Sequence, residues 1–153
     1  MEAMISDMTP AAGMRIWTIG HADRDFDAIA AALVDHGVQT IVDVRSQPYS
    51  KWAPDFVKAT LEESAATAGF GYRWMGKTLG GRPVPDALHL AAGLDELVGL
   101  CTHSHVVLLC AEGDPVHCHR DKLLAPALSE RGYEVVHILS DGDIAPYQEP
   151  LGL

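Results

Sequence analysis

The chain has 153 residues, 48% of them hydrophobic, with no apolar run near the length of a membrane span, which points to one domain large enough for a real core. Eleven Lys and Arg against 21 Asp and Glu give a formal net charge of −10, which repels a polyanion and disfavours nonspecific nucleic-acid binding. Three cysteines are too few, and odd in number, for a disulfide framework, so they read as free thiols in a reducing compartment, the cytoplasm.

In chain order, residues 1–13 (MEAMISDMTPAAG) predict a polar, flexible extension unlike a secretory signal, with Met8 or Met14 as alternative starts. Residues 14–153 carry no repeat, low-complexity tract or linker and predict a single domain. RIWTIG (15–20) predicts a strand; Asp25 then offers an N-cap to a helix with Phe26, Ile29, Ala30 and Leu33 on one face, closed by Gly37. The β-branched run VQTIVDV (38–44) predicts a strand buried on both faces, followed by the polar loop RSQPYSKWAP. The next helix is expected near Asp55, with Val57, Leu61, Ala65 and Ala68 inward, then a short extended piece in GFGYRW and a long loop in GKTLGGRPVP. A weakly patterned helix fits 86–100, HVVLLC (105–110) is the clearest buried strand, Asp114-Pro115 resembles an N-cap and first turn, and EVVHIL (134–139) closes the series.

This alternation predicts a three-layer α/β/α, Rossmann-like domain with a mostly parallel sheet of about five strands, since parallel strands need helical crossovers. Ligands of such sheets bind at the carboxyl ends of the strands. Those ends carry Gly20-His21, Asp43 to Arg45, and Cys110 with Glu112, so three strands deliver ionisable groups to one rim.

The densest chemistry lies in LCAEGDPVHCHRDK (109–122). A helix starting at Pro115 would bury Leu124, Ala127 and Leu128, and steps of four and seven back from Leu124 would set Arg120 and His117 over the crevice. Cys118 and His119 would then lie in its first turn, where the helix dipole lowers a thiol's pKa. Cysteine-dependent phosphatases and sulfurtransferases also cradle an oxyanion between a strand-end cysteine and a helix arginine. The nine residues between Cys110 and Arg120 exceed their tight loops, so the likeness is one of architecture only.

The motifs TIGH (18–21), DVRSQPYS (43–50), Pro54 with Phe56, LGGRP (79–83), CAE (110–112), CHR (118–120) and GYEVVHI (132–138) resemble the bacterial and archaeal domain of unknown function family numbered 488, over roughly 120 residues. The resemblance implies a small α/β domain without an assigned activity. The family commonly continues TIGH with Ser; here Ala22 follows, which removes a hydroxyl beside His21.

The candidate catalytic residues are His21, Glu112, Cys110 and Cys118, with His21 or Glu112 moving protons and a cysteine as nucleophile. The candidate substrate-binding residues are Asp43, Arg45, Ser50, Gly80, Gly81, Arg82, His119 and Arg120. Each has a plainer reading: His21 as a turn cap, Asp43 and Arg45 as a structural ion pair, the cysteines as packing groups, Glu112 as a helix-dipole partner, and Gly80-Gly81 as a tight turn. Trp52, Tyr72 and Trp74 read as core more readily than as pocket walls, and His137 as a satisfied core histidine. Cys110, Glu112, His117, Cys118, His119 and His21 are able metal ligands, but C-x7-C-H is not a zinc spacing; no metal and no cofactor are expected.

The leading expectation is an enzyme, hydrolase or transferase, acting on a small anionic ligand through phosphoester, sulfur-transfer or nucleotide chemistry. The contrary expectation is a non-catalytic module that binds a nucleotide, a nucleic-acid end or a protein partner. Arg120→Ala is expected to abolish anion binding and leave the fold intact. The oligomeric state is not written in the sequence.

Overall fold

A computed structural model describes residues 15–149, and the extension expected over 1–13 lies outside them. Six strands, β1 (Arg15–Gly20), β2 (Thr40–Asp43), β3 (Gly71–Trp74), β4 (Val106–Cys110), β5 (Glu134–Ile138) and β6 (Ile144–Pro146), form one sheet in the order β3-β2-β4-β1-β5-β6. The first five are mutually parallel, and β6 joins β5 antiparallel at the edge. The helices are α1 (Phe26–Asp35), α2 (Lys58–Ala68), the single turn α3 (Gly76–Leu79), α4 (Ala87–Cys101) and α5 (Ala125–Glu130). A π-helical turn, Arg120–Leu124, leads into α5. Among the described residues no helix is long and apolar enough to cross a membrane.

Side-chain alternation along the strands divides the core into two layers. Ile16, Val42, Val106, Leu108 and Val135 pack with Leu94, Leu97, Leu124 and Leu128 of α4 and the 120–130 helical segment. Trp17, Ile19, Ile41, Val107, Leu109, Val136 and Ile138 pack with Ile29, Leu33, Leu61 and Ala65 of α1 and α2 on the other face. The three-layer α/β/α architecture is therefore present. β1 and β4 are neighbours whose following helices lie on opposite faces, so the crevice of this open sheet falls between the ends of these two strands.

Several elements differ from the sequence expectation for local reasons. The helix expected near Asp55 starts at Lys58, after a 3-10 turn (Pro54–Phe56), because the Asp55 carboxylate accepts from the backbone N–H of Phe26 at the start of α1, 3.0 Å away. Ala68 is exposed at the end of α2 rather than inward. The Asp114 carboxylate caps Val116 N as expected, but the turn it caps spans only Pro115–His117, and Cys118 returns to extended backbone. The long loop holds α3, and β6 was not foreseen: the DGD turn with Gly142 at φ +93° folds it back on β5.

Candidate functional site

Two polar clusters sit at the carboxyl rim, one on each face of the sheet. On the α1/α2 face, Asp43 ends β2 and Arg45 follows two residues on, so both point the same way. The Arg45 guanidinium grips the Asp43 carboxylate with Nε at 2.8 Å and Nη2 at 2.7 Å, and the Tyr72 hydroxyl donates to the same carboxylate at 2.6 Å. Arg45 Nη1 lies 3.3 Å from His21 Nε2, and the His21 ring stacks on Phe56 with centroids 4.3 Å apart. Burial and the adjacent Arg45 charge push the His21 pKa down to about 4, so near neutral pH its Nε2 is a bare acceptor facing Arg45. Burial and the bond to Asp43 raise the Tyr72 pKa. This cluster is closed: its charges and polar atoms are matched within it.

On the α4/α5 face, Cys110 ends β4, and its sulfur lies 2.6 Å from Cys118 Sγ. Both thiols are free. Arg120, 0% exposed, donates to Cys110 Sγ at 2.6 Å, Glu112 O at 2.6 Å, Gly113 O at 3.1 Å and Thr18 Oγ1 at 3.1 Å. The loop after β4 can approach this closely because Gly20, at the end of β1, has no Cβ where the Glu112 carbonyl passes. The network continues behind Arg120. The Thr18 hydroxyl donates to His137 Nδ1 at 2.6 Å, and His137 Nε2–H donates to Asp121 Oδ1 at 2.9 Å. Burial lowers the His137 pKa, which suits a neutral ring with one donor and one acceptor nitrogen.

Among the described residues no carboxylate pairs with Arg120, so a fully buried cation meets only a hydroxyl, two carbonyls and a sulfur. A lone buried charge is costly unless an anion compensates it. The ionisable group in contact with Arg120 that could carry a compensating charge is the dithiol. The hydrogen bond from Cys110 is the largest cause lowering the Cys118 pKa far below the usual thiol range, with the His119 side chain, the Arg120 backbone N–H and the Arg120 charge adding to it. The same bond, with burial, raises the Cys110 pKa. With the Cys118 acidity raised and that of Cys110 lowered, Cys110 is the favoured donor of the S–H···S bond between them, and Arg120 Nη1 lies on that donor sulfur.

His119 stands on the other side of the Cys118 sulfur. Its Nε2 lies 2.9 Å from Leu79 O and 3.1 Å from Val44 O, both of which can only accept, so Nε2 carries a hydrogen. That leaves Nδ1, 3.5 Å from Cys118 Sγ, as the atom facing the sulfur. Gly81 packs against the His119 ring, where a Cβ would fall 2.8 Å from Cγ.

The thiols open on a crevice of about 640 Å³ whose walls include Arg45, Gly81, Arg82, Cys110, Glu112, Cys118 and His119 from the sequence-predicted set. His21, Asp43, Ser50, Gly80 and Arg120 from that set do not line it. His21 and Asp43 belong to the closed cluster, Ser50 Oγ accepts from Trp52 N in a turn, and Gly80 lies against Gly76 and Ser46. Arg120 does not overhang the crevice; it lies beneath it as the clamp of the 110–113 loop. His117 stands exposed at the rim. Sequence reasoning missed Ser46, Gln47 and Tyr49, which form part of the wall, and the DVRSQPYS run was the available signal. Trp52 is 84% exposed rather than core, whereas Tyr72 and Trp74 are half-buried on Asp43 and Arg45 O. The Arg82 guanidinium has no partner among the described residues and stands at the mouth, with its backbone N–H fixed by Ser46 Oγ at 2.9 Å. No group of three or more His, Cys, Asp or Glu side chains among the described residues is arranged to hold a metal ion.

A family model described as "Domain of unknown function DUF488" matches residues 25–85 and 86–126. No curated protein and no solved structure matches the chain.

Proposed function

The chain belongs to the DUF488 family, and from the geometry of its rim we propose that it is a cysteine-dependent enzyme in which Cys118 attacks a small anionic substrate. The observation that carries this reading is the position of Cys118 Sγ: it lines the crevice while lying against Cys110 Sγ and His119 Nδ1, with the buried Arg120 guanidinium on Cys110 behind it. His119, rather than His21, is the group placed to give or take a proton at the sulfur. Arg82 receives the anionic end of the substrate at the mouth of the crevice, beside one lining carboxylate, Glu112. Work in the reducing cytoplasm would keep both thiols free, as the chemistry requires.

The test is protection of Cys118 from iodoacetamide by inorganic phosphate or sulfate, read by mass spectrometry, in the wild type and in Arg82→Ala. The reading expects saturable slowing of Cys118 modification in the wild type and at least a severalfold weaker effect in the variant. Unreactive Cys118 in the folded protein, or modification indifferent to both anions and to Arg82, overturns it.

A further inference from the structure

We propose that Cys110 is a second reactive cysteine, which resolves a mixed disulfide formed at Cys118, and that the substrate class is a small disulfide carrying negative charge. This rests on the nucleophile reading above and adds what the second sulfur is for. A single-thiol mechanism needs no partner sulfur. An acyl- or phosphoryl-cysteine would place its electrophilic centre one bond beyond Cys118 Sγ, whereas Cys110 Sγ touches that sulfur itself, at 2.6 Å. Cys110 is also 2% exposed, so its natural target is whatever sulfur bond Cys118 holds. Arg120 Nη1 on Cys110 Sγ is placed to stabilise the thiolate that forms when Cys110 gives up its proton.

The step balances as thiol–disulfide exchange. The Cys118 thiolate attacks one sulfur of the substrate R–S–S–R, forming Cys118–S–S–R and expelling RS⁻, which takes a proton from solvent. Cys110 then attacks Cys118 Sγ, the Cys118–S–S–R bond breaks, and the second RS⁻ takes the proton Cys110 loses. The substrate gains two electrons and leaves as two thiols; the protein is left with a Cys110–Cys118 disulfide. A low-molecular-weight thiol of the reducing compartment returns the dithiol by the reverse exchange. The charge preference comes from Arg82, whose guanidinium has no partner among the described residues and stands at the mouth of the crevice.

The experiment mixes the reduced full-length protein with one of three disulfides: the aromatic dicarboxylate 5,5′-dithiobis(2-nitrobenzoate), neutral bis(2-hydroxyethyl) disulfide, or dicationic cystamine. Released thiol and intact mass are followed, with peptide mapping of the product. The expected result is two thiols released per chain, a mass loss of two hydrogens, and a Cys110–Cys118 disulfide with Cys101 untouched. Cys110→Ser should stop after one released thiol, with the adduct kept on Cys118. If the wild type itself stops at a stable adduct on Cys118, the resolving role is overturned while the nucleophile reading stands. If neither thiol reacts in the folded protein, both fall. With each rate divided by that of the same disulfide with a free small thiol, which removes the leaving-group difference, the charge assignment expects the dicarboxylate to exceed cystamine at least about tenfold, with that ratio shrinking in Arg82→Ala and in high salt. Equal or reversed relative rates overturn the substrate class. The wild-type product mass decides the resolving role even if Cys110→Ser fails to fold.

Discussion

The two faces of the rim solve the same problem, a buried arginine, with opposite consequences. On one face Arg45 is neutralised by a buried carboxylate that also satisfies Tyr72, so the cluster is inert scaffolding that fixes the ends of β1, β2 and β3. On the other face Arg120 has no carboxylate among the described residues, and its compensation falls to a pair of sulfurs that can hold one proton between them. The placement follows from strand alternation: Asp43 and His21 fall in one parity, Thr18, Cys110 and His137 in the other. A buried charge becomes chemically useful when its partner is an ionisable nucleophile rather than a carboxylate.

The contrast breaks most severely at Arg120. Arg120→Ala leaves the Glu112 and Gly113 carbonyls and the Thr18 hydroxyl short of donors, and should cost about 3–5 kcal/mol in chemical denaturation. It should also return Cys118 toward ordinary thiol acidity. This replaces the sequence expectation of an intact fold, because the side chain is fully buried rather than overhanging. Asp43→Asn should cost about 3 kcal/mol by leaving Arg45 buried without its counter-ion, yet leave the acidity of Cys118 unchanged, since the two clusters share no partner. A shifted Cys118 titration in that variant would show the faces to be coupled.

A pH titration of stability sharpens the comparison further. His21 titrates near 4 in the folded protein against 6.5 for the free side chain, so the unfolded chain binds more protons between those values. Its contribution is full above about pH 6.5 and is lost as the pH falls through the window toward 4, an effect on the order of 3 kcal/mol. His137, also lowered by burial, acts in the same direction. Urea denaturation at several pH values should show this slope, and His21→Gln should flatten it without altering thiol reactivity. The smallest effect belongs to Thr18→Val, about 1–2 kcal/mol, which removes the hydroxyl between Arg120 and His137; Thr18→Ser should restore both stability and the Cys118 titration.

The strands and the two-faced burial were legible because β1, β2, β4 and β5 are short apolar runs bounded by turn residues. So was the Asp43–Arg45 pair, since two residues apart on a strand face the same way. The contact between Cys110 and Cys118 was not, because the 111–117 loop has no periodicity to extrapolate. The capping signal of Asp114-Pro115 was real but marked a single 3-10 turn, which displaced the expected helix start to the residues after Cys118. Arg120 shared the buried stripe of Leu124 in the sequence, and its spacing held the correct answer. An arginine on a buried stripe is a clamp when loop carbonyls and a sulfur converge on it, and sequence spacing does not report that convergence. The proton-handling position of His119 depended likewise on two carbonyls, Leu79 O and Val44 O, brought from distant segments.

The most direct measurement is site-resolved alkylation of Cys101, Cys110 and Cys118 in the folded, metal-free protein across about pH 5 to 9, read by mass spectrometry. The buried dithiol beneath Arg120 predicts that Cys118 is modified already at the acid end of the range, while Cys110 and Cys101 stay protected; burial raises the Cys101 pKa to about 11. Modification of Cys118 only near or above the ordinary thiol range, or no modification until the chain unfolds, would contradict the claim that the sulfurs carry Arg120's counter-charge.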